Sequence, residues 1–233
     1  RKYYLASGVP DEKIHLVPYS VDNSRFEAAA AAYRAQSSEY KTSLGLASDL
    51  PVVLYASKLI ERKHAHTLMR AVARLQSAGK DLALCIVGSG PMDASLRELK
   101  NELGLENTVF TGFMNQSQLP MAYALADIFV LASESEPWGL VVNEVMCAGL
   151  PVITSPEMGC SDDLVAEGLN GYQVAPGDVD ALTTAIGALV DNPELLKAMG
   201  RRSVDRVRQW GYEECVIGLR HALRSLSAGQ KNP

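Results

Sequence analysis

Short apolar runs alternate along the chain with longer segments in which apolar residues recur every three or four positions. The apolar runs cover residues 51–57, 81–87, 108–110, 127–132, 151–154 and 171–174. Continuous apolarity over so few residues is typical of parallel strands that are buried on both faces. The helical spacing occurs between them, within residues 68–75, 96–103, 119–126 and 141–148. This alternation predicts an α/β fold with a doubly wound parallel sheet of about six strands and right-handed crossovers.

The two ends of the chain carry a different pattern. Residues 1–23 are typical of linking structure, with the end of a helix before Gly8 and a short strand over residues 14–17. Residues 27–43 predict one exposed helix that carries Lys41 into the body of the fold. After the last apolar run we expect further helices over residues 178–191, 193–209 and 212–226, the second of which begins with a proline.

Composition limits the function classes. The chain has 233 residues, of which 47% are hydrophobic and 21% charged, and this is ordinary for a soluble globular protein with one large domain, alone or with an appendage. A formal net charge of −5 gives no reason to expect nucleic acid as a partner. No apolar stretch reaches the roughly 18 residues that a membrane-spanning helix needs, and no signal peptide is evident. Because the sequence begins at Arg1, we expect a fragment of a longer protein.

The cysteines and histidines do not predict a metal site. The four cysteines are far apart, and none forms a Cys-x-x-Cys pair, so we expect buried, reduced thiols in a cytosolic protein. His64 and His66 are two positions apart and would not share a helix face.

Two carboxylates form the strongest candidate site. Glu136 and Glu144 are eight positions apart, and the turn Pro137-Trp138-Gly139 separates the first from an apolar helix that carries the second. Loops that follow the strands of an open α/β sheet build ligand sites, and the amides of a helix start favour an anion such as a diphosphate. Two isolated glutamates would more often be solvated surface acids, but the turn and the apolar helix favour a site.

Two lysines follow the first apolar run and form a second candidate. Lys58 and Lys63 could reach a diphosphate as point charges, and they would then face the two carboxylates across one pocket. A solvent-facing cluster around Glu61 is the alternative, and the residues alone do not decide between the two.

Glycines after the second apolar run resemble the opening of a dinucleotide fingerprint. Gly88 and Gly90 fit its first two positions, but Asp93 occupies the place of the third glycine, and the expected later acid is missing. We therefore reject a nicotinamide site, and these glycines either admit a ligand or turn the chain. Residues 110–114 could hold a base edge through their backbone or form an ordinary turn. A basic helix face, expected to be solvated, is made by Arg201, Arg202, Arg206 and Arg208.

In their order along the chain, these segments resemble the nucleotide-binding half of a retaining glycosyltransferase of the GT-B fold, in the large group 1 family (family four). The resemblance covers residues 14–226 and rests on VPYSVDNSRF at 17–26, SKL and RK within 57–63, IVGSGP at 86–91, VFTGF at 109–113, EPWGLVVNE at 136–144 and AGLPV at 148–152. It implies a Rossmann-like domain with extra carboxy-terminal helices.

The resemblance implies a role for each candidate. Lys58, where the family more often has Arg, and Lys63 would hold the donor diphosphate, and Glu136 would meet the donor sugar. Glu144 would bind the ribose. The donor-binding set that it implies is Ser57, Gly88, Phe113, Met114, Pro137, Trp138, Gly139, Leu140 and Glu144, with the base near Phe113 and Met114. The catalytic set is Lys58, Lys63 and Glu136, and the reaction would need no metal and no cofactor.

Departures from the family pattern leave the donor open among UDP-, GDP- and ADP-linked sugars. Serine or histidine replaces a common glycine at Ser20, Ser57 and His64. The resemblance also implies a partner, the amino-terminal acceptor domain of the same protein, of which only residues 1–23 would remain as a remnant and linker. Residues 24–233 would form the donor domain, inactive alone, and its last helix would expose an apolar patch.

Further expectations follow from the resemblance. It implies cell-envelope glycan assembly in the cytoplasm at the inner membrane face, with peripheral membrane contact and no nucleic acid partner. Two alternatives stay open at this point. One is a sugar-nucleotide epimerase of GT-B-like fold, and the other is a non-catalytic module that binds nucleotide sugars.

Overall fold

The computed structural model describes residues 1–229 of the chain. Its strands form one parallel sheet, with β1 at Val52–Ala56, β2 at Ala83–Val87, β3 at Thr108–Gly112, β4 at Ile128–Leu131, β5 at Val152–Thr154 and β6 at Gly171–Gln173. The spatial order is β3-β2-β1-β4-β5-β6. In this register Leu54 of β1 lies beside Cys85 of β2 and Phe129 of β4. The predicted doubly wound, Rossmann-like α/β fold is confirmed.

Helices cover the sheet in two layers. They are α1 (Lys2–Ala6), α2 (Asn23–Arg34), α3 (Ser37–Ser43), α4 (Ala65–Ser77), α5 (Asp93–Glu102), α6 (Leu119–Leu125), α7 (Leu140–Cys147), α8 (Ser161–Leu164), α9 (Val179–Val190), α10 (Pro193–Val207) and α11 (Tyr212–Gly229). Helix α4 packs against α5 and α9, while α2 packs against α6 and α7. Since crossovers between parallel strands are right-handed, the reversal of strand order at β1 places these two groups on opposite faces.

The core explains why the apolar runs become strands. Every residue of β1 and β2 is buried, and the largest side chains with almost no exposed surface include Tyr55, Tyr123 and Phe129. Burying side chains of this size contributes roughly 1.5–3 kcal/mol each. The central strands therefore give a firm base to the loops that follow them.

Polar side chains fix where several helices begin. Asp22 accepts a hydrogen bond from the backbone N–H of Arg25 (3.0 Å) at the start of α2, and Asp178 caps α9 in the same way. Asn192 caps α10, whose first residue is Pro193. Each such cap stabilises a helix by about 1 kcal/mol.

Two predictions about the amino-terminal region were wrong. Residues 27–43 do not form one helix, because a tight turn in which the N–H of Gln36 donates to the carbonyl of Tyr33 separates α2 from α3. Lys41 is nevertheless buried, as expected. Residues 14–17 are not a strand, because they pack against α11, where a Cβ at Gly218 would lie 2.0 Å from the carbonyl oxygen of Leu16.

Apolar side chains remain exposed on α11, as expected for the last helix. The exposed large side chains of this helix are Tyr212, Val216, Ile217, Leu219, Leu223 and Leu226. The segment before α2 also exposes Leu16, Val17 and Tyr19. Within the described part of the chain, no helix combines the length and the apolar character needed to cross a bilayer. The division between residues 23 and 24 stays a prediction.

All four cysteines are free thiols. Cys85, Cys147 and Cys160 are buried, and burial raises the pKa of each thiol to about 12. Cys215 on α11 is only half-buried. The expectation of buried, reduced thiols is thus confirmed for three of the four.

Candidate functional site

The sheet has its switch point between β1 and β4. The chain runs outward from β1 to β2 and β3 on one side, and from β4 to β5 and β6 on the other. The loops after β1 and β4 therefore diverge and leave a crevice at the carboxyl ends of the strands, where open α/β sheets bind ligands. Both candidate pairs of the sequence lie on these loops or on the helix that follows β4.

A cavity of about 490 Å³ occupies this crevice. Its lining includes the predicted residues Ser57, Lys58, Gly88, Phe113, Met114 and Glu144, together with Tyr123 and Val141. The volume suits a small-molecule ligand. A larger groove of about 800 Å³ lies beside Lys41 and Asp127 at the other end of β4, where none of the predicted site residues occurs. We assign the candidate site to the cavity at the strand carboxyl ends, which six of the twelve predicted site residues line.

The glycines after β2 hold two loops together. Gly88 has φ +138°, and a Cβ there would lie 1.9 Å from the carbonyl oxygen of Ser57. A Cβ at Gly90 would lie 2.3 Å from the carbonyl oxygen of Leu59. These glycines therefore permit a close approach between the loops after β1 and β2, and both of them line the cavity.

Glu144 is the buried carboxylate of the cavity. Its side chain lies on α7, is 7% exposed and accepts a hydrogen bond from the Tyr123 hydroxyl at 2.5 Å. Burial raises the pKa of Glu144, while the Tyr123 hydrogen bond and the charge of Arg25 act in the opposite direction. Within residues 1–229, only one of its two oxygens has a hydrogen-bond partner, so the other can accept from a ligand hydroxyl. Sequence reasoning missed Tyr123, which has the pattern of an ordinary core residue.

Lys63 and Glu136 form an ion pair of their own. The Lys63 side chain is 6% exposed and that of Glu136 22%, and the ammonium contacts the carboxylate directly. Lys58, by contrast, is exposed and lines the cavity with Glu144. Lys63 and Glu136 therefore face each other in direct contact, and neither of them lines the cavity that Lys58 shares with Glu144.

Further contacts lock the loop after β1 to the loop after β4. The carbonyl oxygen of Arg62 accepts hydrogen bonds from the backbone N–H of Glu134 (2.9 Å) and from the Ser133 hydroxyl (3.1 Å). His64 Nε2 lies 2.9 Å from a carboxylate oxygen of Glu134. His64 also has φ +54°, a left-handed conformation that favours glycine. The family pattern has a glycine where this chain has His64, and that glycine was the sequence signal for a left-handed backbone.

The turn after Glu136 begins α7. Gly139 has φ +93°, and a Cβ there would lie 2.9 Å from the methyl carbon of Met158. Pro137 and Leu140 are exposed on either side of it. The Trp138 ring does not line the cavity, because it stacks on Tyr19 and Trp210. None of the predicted donor-binding residues 137–140 lines the cavity, whereas Val141, the next residue of α7, does.

The rim of the cavity combines apolar and charged groups. Phe113, 74% exposed, and Met114 line one side with Val141, and Lys58 supplies a cation. Such a site can cover a flat ring with apolar side chains, hold a diol at a buried carboxylate and attract an anionic group. In the described chain, no group of three or more His, Cys, Asp or Glu side chains is arranged to hold a metal ion.

Comparison with known proteins identifies the family. The family model described as glycosyl transferases group 1 matches residues 36–206. A GDP-mannose-dependent alpha-(1-6)-phosphatidylinositol monomannoside mannosyltransferase of Mycolicibacterium smegmatis is 33% identical over 240 residues, which cover 99% of this chain and 60% of that protein. The chain thus spans about three fifths of the length of this relative.

Solved structures have the same fold. Sucrose-phosphate synthase from Thermosynechococcus elongatus superposes with a TM-score of 0.77 at 28% identity, over 98% of this chain and 56% of that one. Anabaena HepE, solved with UDP-glucose, gives a TM-score of 0.70 at 24% identity, over 83% of this chain and 53% of that one. Because the family model matches residues 36–206, which are most of the chain, the chain belongs to the group 1 glycosyltransferases.

Proposed function

We propose that this chain is the donor-binding domain of a retaining glycosyltransferase, which moves a sugar from a nucleoside diphosphate sugar to a glycan or lipid-linked acceptor. The observation that carries the proposal is the cavity at the switch point, where a cation, a buried carboxylate and apolar side chains converge. The relative from Mycolicibacterium smegmatis depends on GDP-mannose, and the solved HepE structure contains UDP-glucose. Both names support a nucleotide sugar as ligand and leave its base open.

Each group has a role on this proposal. The free oxygen of Glu144 accepts hydrogen bonds from the ribose diol, and the backbone near Phe113 and Met114 meets the base. Lys58 contacts the diphosphate. When the sugar–phosphate bond breaks, negative charge grows on the leaving diphosphate, and a fixed cation stabilises that charge. The reaction uses no metal, and residues 24–233 form the donor domain.

On this proposal, donor binding rearranges the ion pair of Lys63 with Glu136. Lys63 can neutralise the diphosphate only if Glu136 shares it or turns to the hydroxyls of the donor sugar. Donor binding would then replace one partner of a nearly buried lysine by another, so the cation is never left without an anion.

Acceptor, partner and place in the cell also belong to the proposal. The acceptor domain of the same protein would face this cavity, and the work of the enzyme would be cell-envelope glycan assembly at the inner face of the membrane. The relative that acts on phosphatidylinositol monomannoside supports a lipid-linked acceptor. Because the relative from Mycolicibacterium smegmatis is a mannosyltransferase, it does not favour the epimerase alternative.

Calorimetry tests the proposal. We would titrate the chain with UDP, GDP and ADP, each free and sugar-linked, and compare wild type with Glu144→Ala. A matched control is Glu98→Gln, which changes an exposed carboxylate of α5 that does not line the cavity. Saturable binding of one nucleotide that only Glu144→Ala loses supports the proposal and names the base. Binding of none, in a chain that unfolds cooperatively, contradicts it.

A further inference from the structure

The Trp138 ring lies between two aromatic rings from distant parts of the chain. Its centroid is 5.1 Å from that of Tyr19, with an interplanar angle of 28°, and 5.1 Å from that of Trp210, with an angle of 32°. Tyr19 belongs to the segment before α2, and Trp210 to the short turn before α11. Aromatic rings at this separation attract one another. One side chain of the turn before α7 is therefore in contact with the segments that lead into and out of the α/β body.

Hydrogen bonds tie the same ring to the helix that carries Glu144. The indole N–H of Trp138 donates to the side-chain oxygen of Asn143 at 2.9 Å. The amide of Asn143 in turn donates to the carbonyl oxygen of Tyr19 at 3.4 Å. Asn143 is completely buried and directly precedes Glu144 on α7. A shift of Tyr19 would thus reach both the turn and the buried carboxylate.

On the side away from these rings, the turn after Glu136 is held by backbone contacts with Gly159. The N–H of Gly159 donates to the carbonyl oxygen of Glu136 at 2.9 Å, and a Cβ at Gly159 would lie 2.0 Å from the carbonyl oxygen of Pro137. Backbone contacts therefore hold this side of the turn, while side-chain rings contact its other side. Glu136, whose carboxylate holds Lys63, is two residues before Trp138.

We propose that Trp138 is a positioning residue, which couples the site turn and the Glu144 helix to the segments that carry Tyr19 and Trp210. The inference rests on the proposed function, because the ligand whose binding it controls is the nucleoside diphosphate sugar. The coupling is reciprocal: if the position of the stack sets the affinity for the donor, donor binding must also change the stack. A residue that merely supports the fold would show no such link.

The sequence supplies its own reporter. Trp138 and Trp210 are the two tryptophans of the chain, so the tryptophan bands of its near-ultraviolet circular dichroism come from two rings that both belong to this stack. We expect nucleotide sugar to change that signal saturably, with the midpoint that calorimetry gives. In Trp210→Phe, which keeps a ring in the stack, the fluorescence of Trp138 alone should change at the same concentration. A signal that stays constant while calorimetry detects binding overturns the inference.

Variants supply the second test. Trp138→Ala should weaken donor binding about tenfold, while Trp138→Phe, which retains a stacking ring, stays within about threefold of wild type. Tyr19→Ala should weaken binding by about two- to tenfold, although Tyr19 does not line the cavity. This side chain is 59% exposed, so the variant remains folded even if Trp138→Ala does not.

The outcomes separate the two proposals. Thermal unfolding is recorded for each variant beside its donor affinity. A lower melting temperature with unchanged affinity in Tyr19→Ala and Trp138→Ala would mean that the stack has only a structural role, which overturns the inference and leaves the proposed function standing. If the wild type binds no nucleotide sugar, the proposed function fails, and the coupling fails with it.

Discussion

Replacement of Glu144 by glutamine should make the protein more stable at neutral pH and a poorer binder of nucleotides. Burial raises the pKa of Glu144 above its ordinary value of 4.5. A carboxyl with a higher pKa in the folded protein contributes stability that is fully present below the unfolded value and is lost as the pH rises through the raised value. Each unit of such a shift corresponds to about 1.4 kcal/mol. Glutamine keeps the shape and the acceptor for Tyr123 but carries no charge.

The balance of two effects sets the magnitude. Ionising a buried carboxyl costs several kcal/mol, and a hydrogen bond from Tyr123 to the charged form returns about 1.5–3 kcal/mol. We therefore expect the Glu144→Gln variant to exceed wild type by about 1–2 kcal/mol at pH 7, and to equal it below about pH 4. Loss of a charged acceptor for the ribose hydroxyls should weaken nucleotide binding about 10- to 100-fold.

Urea unfolding at a series of pH values measures the first effect, and calorimetry the second. The Glu98→Gln variant removes an exposed carboxylate from α5 and should follow wild type in both. Parallel stability profiles of wild type and Glu144→Gln across the acidic range would show that Glu144 is not shifted. Unchanged nucleotide affinity would show that its free oxygen does not meet the ligand.

Three further predictions concern the loops around the cavity. Because Lys58 is exposed, Lys58→Met should leave the free energy of unfolding within about 0.5 kcal/mol of wild type. It should weaken donor binding at least about tenfold in calorimetry, and a loss of stability without a loss of affinity would contradict this. Lys63→Met should destabilise the protein by about 2–4 kcal/mol in urea unfolding, because Glu136 loses its cation. The double variant with Glu136→Gln should recover most of this stability, whereas additive effects would argue against a coupled pair. Gly88→Ala should lower the melting temperature far more than Gly79→Ala. Both glycines have positive φ, but only at Gly88 would the added Cβ lie 1.9 Å from a backbone oxygen, and equal shifts would rule out that close approach as the cause.

The sheet could be predicted from the sequence because its strands are short apolar runs, and the four central strands are buried at every residue. Residues 108–110, for example, were expected as a strand and lie within β3, which extends to Gly112. Helix α8 was not predicted, since a helix of four residues is too short to show an apolar period. The break between α2 and α3 was also missed, because the alanine-rich sequence before it favours helix and no glycine or proline marks the turn at residues 35–36.

The candidate site could be predicted only in part. Lys58 and Glu144 were placed correctly on the cavity, because residues after parallel strands gather at one edge of the sheet. The pairing of Lys63 with Glu136 could not be predicted, since it depends on the distance between two loops that are separated along the chain. The contact between His64 and Glu134 was missed for the same reason, although the departure from glycine at His64 pointed to an unusual backbone.

The cysteines give this protein a natural attachment point for a probe. Thiol-directed dyes react with the thiolate, and three of the four thiols are buried with their pKa raised to about 12. Cys215 is half-buried on α11, close in sequence to Trp210. A maleimide dye should therefore modify Cys215 selectively without any cysteine being removed. The last helix can then be followed by energy transfer from the tryptophans while ligands are added.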